Sequence, residues 1–387
     1  MKKENAMSEK WVAGWGAAEN YTSVRQFDYV KDMSFRYPIF PTVNASAVRI
    51  HLSNKFGTEN CILTRATVAI CTEKSSIDES TVVPITFNGS DSLTMWPGGE
   101  YVSDEIDFRV TAGIELSITM YFAEYTQIRT GHSNTGKYIR QYYIKGDHCD
   151  SAELPDDQRI EGQSYVFLNT VDFLASDEAS AIVAFGDSIT AQPWPDCLAR
   201  RIYDAGVRNR TVIRRGIGGN RVLREYRLRD MLGYGMAGIK RFEHDVVTVA
   251  GADRVFVLQG INDLLHPAVG YKRCPMEELP TAEELIAGLQ TYIDIAHKHG
   301  MKIYLATILP HEPFLTVEGD KETKRLRVNE WIRNEADCDG VIDFEAALWD
   351  PDNHSRLLKE YDSGDKLHPS FAGAKKMADS IPEDFWK

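Results

Sequence analysis

The hydrophobic pattern changes period near residue 175, and no other feature limits the fold as sharply. Before that point apolar residues recur at every second position. Val48, Ile50 and Leu52 alternate with Arg49, His51 and Ser53, and a turn sequence, Asn54-Lys55-Phe56-Gly57, follows. Leu116, Ile118, Met120 and Phe122 alternate in the same way with Ser117, Thr119 and Tyr121. A period of two is the mark of a strand. Further strands are expected at 66–71, 82–87, 138–144 and 164–168. Pro84 has no amide proton to give a ladder, which puts its strand at an edge. Many short alternating strands without helical spacing predict an antiparallel β-sandwich or jelly roll over residues 11–173.

Residues 174–180, Leu-Ala-Ser-Asp-Glu-Ala-Ser, read as a linker. Beyond it, over 181–387, strands alternate with helices. Strands are expected at 181–185, 211–216, 254–259, 301–308 and 340–344. Helices are expected at 194–205, 222–242, 281–299, 321–336 and 371–380. The pattern at 281–299 is the clearest. Thr281 and Glu284 form a capping box, Leu285, Leu289, Tyr292, Ile293 and Ala296 make one apolar stripe, and Gly300 closes it. Such alternation builds a parallel sheet with helices on both faces, and sites form at the carboxyl ends of its strands.

The chain of 387 residues suits two domains, and its net charge of −13 argues against a nucleic-acid partner. No stretch approaches the roughly 20 apolar residues of a membrane span. The first ten residues carry positive charge but no apolar run, so a cytoplasmic protein is expected. Six cysteines are scattered without a Cys-x-x-Cys pair, which reads as reduced thiols and no structural zinc. His297 and His299 are two apart on a helix and do not share a face, so a metal site there is not expected.

Four pieces with chemical content fall at strand ends of the second region. Ile182–Phe185 is a short apolar run, Gly186-Asp187 stops it, and Ser188 follows at the corner. A serine there has an exposed hydroxyl, and the first amides of a helix lack internal partners and can hold an anion. Taken alone, Gly-Asp-Ser is more often a turn or a helix cap. Gly216-Ile217-Gly218-Gly219-Asn220 is a small-residue loop that lets backbone approach a ligand. A dinucleotide loop would need glycine at 221, where Arg221 stands. Gly260-Ile261-Asn262-Asp263 offers the Asn262 amide as an oxyanion donor or, more blandly, an Asx turn. Asp365-Lys366-Leu367-His368 puts a carboxylate within reach of an imidazole, although a lone Asp-x-x-His is more often a surface cap. Trp194 could stack a sugar or fill a core. His266 and His311 sit in loops after strands, where they could line a pocket or, more blandly, face solvent with no role.

In this order the set Gly186-Asp187-Ser188, Gly219, Asn262 and Asp365-x-x-His368 resembles the SGNH (GDSL-type) hydrolase superfamily across residues 181–380. Ile189 stands where many members carry leucine. The resemblance implies an α/β/α domain with a flavodoxin-like parallel sheet. It implies Ser188 as nucleophile, His368 as general base and acid, and Asp365 as the group that orients His368. It implies an oxyanion hole from the amides of Ser188 and Gly219 and the Asn262 side chain. No Gly-x-Ser-x-Gly elbow occurs, which disfavours the α/β-hydrolase family. The two-part layout is similar to carbohydrate acetyl esterases in which a jelly roll precedes the hydrolase domain.

The expected function is therefore a serine esterase that removes short acyl groups, acetyl above all, from oligosaccharides through an acyl-enzyme. No metal or organic cofactor is called for. The partner is a small-molecule or oligosaccharide ester, with no nucleic acid and no membrane. Two alternatives stay open: a general short-acyl esterase, lipase or thioesterase, and a carbohydrate-binding protein with an idle hydrolase domain.

Overall fold

A computed structural model describes residues 8–22, 28–133, 136–162, 164–227, 229–267, 273–312 and 320–387. The chain divides into two compact units. One holds residues up to 181 together with 202–213, and the other holds 182–201 with 214–387.

The first unit is rich in antiparallel strands. One sheet runs Glu9–Gly16, Leu168–Ser176, Ala45–Ser53, Glu100–Val102. A larger one includes, in order, Tyr142–Lys145, Met33–Ile39, Leu116–Phe122 and Arg65–Glu73. Val48, Ile50 and Leu52 are buried, as their alternation predicts. The strand Leu116–Phe122 differs from a one-faced strand, because Ser117 and Thr119 are buried as well. Its second face is covered by polar chemistry. Buried Arg36 donates from Nε to Thr119 Oγ1 (3.0 Å) and from its Nη atoms to the carbonyls of Ser75, His148 and Ser151. Pro84 lies in Val83–Ile85, which pairs with Arg65–Glu73 off the main path of the sheet.

No loose linker spans 174–180. The strand Leu168–Ser176 continues through its first half, a turn takes 177–179, and Ser180–Gly186 starts the next sheet. The local reason is a Ser176–Ala179 turn closed by Ala179 N donating to Ser176 O at 2.8 Å.

The second sheet has five strands in the spatial order Arg210–Gly216, Ser180–Gly186, Ala252–Leu258, Lys302–Ala306, Gly340–Ile342. In chain order this is 2-1-3-4-5, the flavodoxin-like doubly wound arrangement, with its switch point beside Ser180–Gly186. Ala252–Leu258, Lys302–Ala306 and Gly340–Ile342 pair in parallel. Helices Trp194–Asp204, Ala282–Lys298, Lys321–Asn334 and Phe371–Ser380 fall close to their expected places. The capping box at Thr281 and Glu284 closes both ways, at 2.8 and 3.1 Å.

One expected helix, 222–242, does not form; position 228 of that stretch lies outside the described residues. A 3₁₀ segment spans Arg229–Tyr234 and an α-helix only Gly238–Phe242. Three glycines at 233, 235 and 238 weaken helix there. Tertiary partners then capture the backbone. Asp263 accepts from the amides of Val222 (2.8 Å) and Leu223 (3.1 Å), and Asn220 Nδ2 donates to the carbonyls of Tyr234 and Met236, both at 2.7 Å.

Candidate active site

Ser188 opens the short helix Ser188–Ala191 directly after the strand Ser180–Gly186. Asp187 is its cap, accepting from Ile189 N at 3.0 Å. Gly216, at the end of the neighbouring strand, must be small. A Cβ there would lie 2.2 Å from Ala191 N and 2.7 Å from Asp187 O, inside the serine corner itself. Gly219 has φ of 74°, and a Cβ on it would meet the Tyr234 ring at 2.3 Å.

His368 approaches from the loop after the last sheet strand. Its Nε2 lies 2.8 Å from Ser188 Oγ, and its Nδ1 lies 2.6 Å from Asp365 Oδ2. The other Asp365 oxygen accepts from the backbone amides of Leu367 (2.9 Å) and His368 (2.8 Å). Against the burial that would raise it, these bonds and the imidazole hold the Asp365 carboxyl at about 2. An ionised carboxylate can only accept, so Nδ1 of the neutral ring carries the proton. Nε2 is then left to accept the Ser188 hydroxyl proton.

Asn262 is buried on the short helix Ile261–Leu265 and donates from Nδ2 to Asn220 O at 3.0 Å. That bond brings the third sequence block against the second. Among the described residues Asn220 O is the acceptor of this NH₂ group, which has a second proton to give. The amides of Ser188 and Gly219 have no acceptor among the described residues.

Sequence reading overlooked several side chains. Arg241 is buried and reaches three segments. It donates from Nη2 to Gly186 O (2.7 Å), from Nη1 to Arg215 O (3.0 Å) and Asp245 Oδ2 (2.7 Å), and from Nε to Asn220 Oδ1 (3.0 Å). Its guanidinium also sits 4.0 Å from the Phe185 ring centroid. Burial works to raise the Asp245 carboxyl, but bonds from His244 and Arg241 hold it at about 2. Gln259 Nε2 donates to Asn220 Oδ1 at 2.7 Å, and Tyr292 OH donates to Gln259 Oε1 at 2.7 Å. A sequence signal for Arg241 existed only in hindsight: a basic residue four before Asp245.

Burial raises the carboxyls of Asp187 and Asp263 to about 7 and about 6, the charge of Asp263 adding to the shift at Asp187. His266 and His311 are not solvent-facing. Both are buried, the first bonded to Tyr226 and the second to the Lys366 carbonyl. Burial lowers His266 to about 3. Trp194 is a core residue, 1% exposed and edge-on to Phe344 at 5.5 Å, so it offers no stacking surface. The sulfurs form no disulfide: all six cysteines are free thiols. Among the described residues no helix is long and apolar enough to cross a membrane.

Several solved structures are similar to this chain. A GDSL-like lipase from Bacteroides thetaiotaomicron is 18% identical over 52% of this chain and 85% of its own, with a TM-score of 0.38. A catalytic mutant of an acetylxylan esterase from Geobacillus stearothermophilus is 21% identical over 52% and 93%, with a TM-score of 0.39. An alpha/beta hydrolase enzyme from the metagenome of Lake Arreo, Spain, is 19% identical over 52% and 92%, with a TM-score of 0.40. No curated protein matches. The GDSL-like lipase/acylhydrolase family matches residues 184–376, the segment that contains Ser188, Gly219, Asn262, Asp365 and His368. By that match residues 184–376 of the chain form a GDSL-like lipase/acylhydrolase domain.

Proposed function

We propose that this protein is a serine esterase acting through an acyl-enzyme, with Ser188, His368 and Asp365 as its catalytic residues. The observation that carries the reading is the unbroken chain Ser188 Oγ–His368 Nε2 (2.8 Å), His368 Nδ1–Asp365 Oδ2 (2.6 Å). Ser188 Oγ attacks the acyl carbon while its proton passes to His368 Nε2. The negative oxygen is received by the amides of Ser188 and Gly219 and by the second Asn262 proton. The ester C–O bond then breaks, and the leaving alcohol takes the proton from His368. Water repeats the sequence and releases the acid. This chemistry asks for no metal or organic cofactor.

The finer reading is an acetyl esterase on oligosaccharides. Among the described residues no apolar segment suits a long acyl chain, and a cavity of about 490 Å³ with several charged side chains in its wall borders the loop that carries the acid and the imidazole. Glu312, Asp350, Arg356, Lys359, Asp362 and Lys366 line it together with Leu357. Ionic walls of that kind suit a polyhydroxyl alcohol. We read the strand-rich first unit as the jelly-roll partner of such an enzyme.

The test is hydrolysis of p-nitrophenyl acetate together with labelling by a serine-reactive fluorophosphonate. Wild type should do both, and Ser188→Ala neither. Labelling of another serine with activity kept would defeat the assignment, and inactive wild type would leave a binding protein. For the substrate, kcat/KM should fall from acetyl to octanoyl, each methylene costing on the order of 1–3 kcal/mol. A rising series, or no acetate from acetylated xylo- or manno-oligosaccharides, would leave a general acyl esterase.

A further inference from the structure

The loop of residues 361–370 carries both the acid and the imidazole, and it is wired almost entirely to itself. Asp362 Oδ1 accepts from the amides of Gly364 (2.9 Å) and Lys366 (3.0 Å). Asp365 Oδ1 accepts from Leu367 and His368, Ser363 N donates to His368 O (2.9 Å), and Ser370 N donates to Tyr361 O (2.7 Å). Lys366, between Asp365 and His368, has φ of 65°, a left-handed conformation uncommon for a lysine. Among the described residues, one backbone hydrogen bond of 363–368 leaves the loop: the Lys366 carbonyl accepts from His311 Nδ1.

His311 is 0% exposed and follows the strand Lys302–Ala306. The segment that carries it is firmly fixed. Ile308 N donates to Asn329 Oδ1 at 2.8 Å, and Ile308 O accepts from Arg325 Nη1 and Asn329 Nδ2, both at 2.9 Å. Arg325 is itself buried and paired with Glu345 and Glu322. A carbonyl only accepts, so His311 must carry its proton on Nδ1. Burial holds this imidazole below its ordinary pKa, which keeps it in that single-proton form.

We propose that His311 is a positioning residue. It is the post on which the Asp365–His368 loop is pinned, through the Lys366 carbonyl, so that Nε2 stays at hydrogen-bond distance from Ser188. The proposal rests on the esterase reading. A shift of about 1 Å in a reacting group can cost on the order of 10²-fold in rate. Loss of this bond therefore lowers kcat, while KM changes little.

The experiment compares His311→Leu, His311→Asn and His311→Gln in the full chain, with Ser188→Ala as control. The Asn side chain places its NH₂ near the position of Nδ1, whereas Gln places it one bond farther out. Expected is a fall in kcat of about 10- to 100-fold for His311→Leu and His311→Gln, with KM within about threefold, and recovery to within about fivefold of wild type in His311→Asn. If His311→Leu does not fold, the Asn and Gln pair decides. Equal kcat in those two, or a change confined to KM or to melting temperature, overturns the proposal. Activity surviving in Ser188→Ala would instead overturn the assignment of Ser188 as nucleophile, and an inactive wild type would overturn the esterase reading.

Discussion

The serine corner and the Asp365–His368 loop face each other across one 2.8 Å bond, yet they are held by different physics. The corner is surrounded by buried charge and backbone. Arg241, paired with Asp245, ties Gly186, Arg215 and Asn220 together, and the Asp187 and Asp263 carboxyl groups are buried. The loop is at the surface, with the Asp365 side chain 51% exposed. It keeps its shape by short-range carboxylate-to-amide bonds and by the link of the Lys366 carbonyl to His311. A buried ionic clamp resists displacement because any broken bond leaves an uncompensated charge in low dielectric. An exposed loop can exchange its bonds for water at little cost. The corner is thus expected to answer mutation in stability, and the loop in rate.

The largest effect tests the loop. Asp365→Asn removes the acceptor that fixes the imidazole tautomer, and kcat should drop by about 10³–10⁴ with the melting temperature nearly unchanged. The Asp365 carboxyl, depressed to about 2, contributes stability that is present above about pH 4 and lost as pH falls through about 2. Stability near pH 7 should change little because the group is half exposed. A variant with wild-type kcat would mean that Asp365 only shapes the loop.

Arg241→Met tests the clamp. It leaves Asp245 buried without its cation, and the expected loss is about 3–5 kcal/mol of unfolding free energy. Chemical denaturation measures it directly. A loss below about 1 kcal/mol would show that the clamp is decorative and would erase the contrast between the two sides.

Asn262→Ala sits on the clamped side but should act on rate. Losing one oxyanion donor lowers kcat by about 10²–10³, equal to about 2.7–4 kcal/mol, with little change in KM. An unchanged kcat would reduce Asn262 to its bond with the Asn220 carbonyl.

The smallest effect concerns pH. Asp187, raised to about 7, keeps a proton in the folded state that the unfolded chain releases near pH 4. Its contribution to stability is full below about pH 4 and lost as pH rises through about 7. Asp187→Asn keeps an oxygen to cap Ile189 but cannot ionise. Its stability relative to wild type should improve between pH 5 and pH 8 by on the order of 1–3 kcal/mol. Parallel stability curves would show that Asp187 does not hold a proton in the corner.

Much of this was legible in the chain. The capping box at Thr281, the alternation at Val48–Leu52 and the apolar strand before Ser188 depend on neighbours a few residues away, so their spacing announces them. The set Ser188, Gly219, Asn262 and Asp365-x-x-His368 could be singled out as a candidate because the first three pieces follow expected strands and the fourth is a short Asp-x-x-His spacing on one loop. The helix expected over 222–242 failed partly for the opposite reason: Asp263, which takes the Val222 and Leu223 amides, lies outside any local window, whereas the glycines at 233, 235 and 238 lie inside it.

By itself the sequence determined the two textures, the strand ends and the identity of the residues offered there, because those follow from local periodicity and turn chemistry. Only the tertiary structure decided which polar groups go inside. A linear reading left His266 and His311 facing solvent, left Trp194 open between a sugar platform and a core residue, and gave Arg241 no role. Burial of a charge or an imidazole is stable only where partners from distant segments arrive together. The carbonyls of Gly186 and Arg215 that receive Arg241, and that of Lys366 that receives His311, are brought into place by the fold alone.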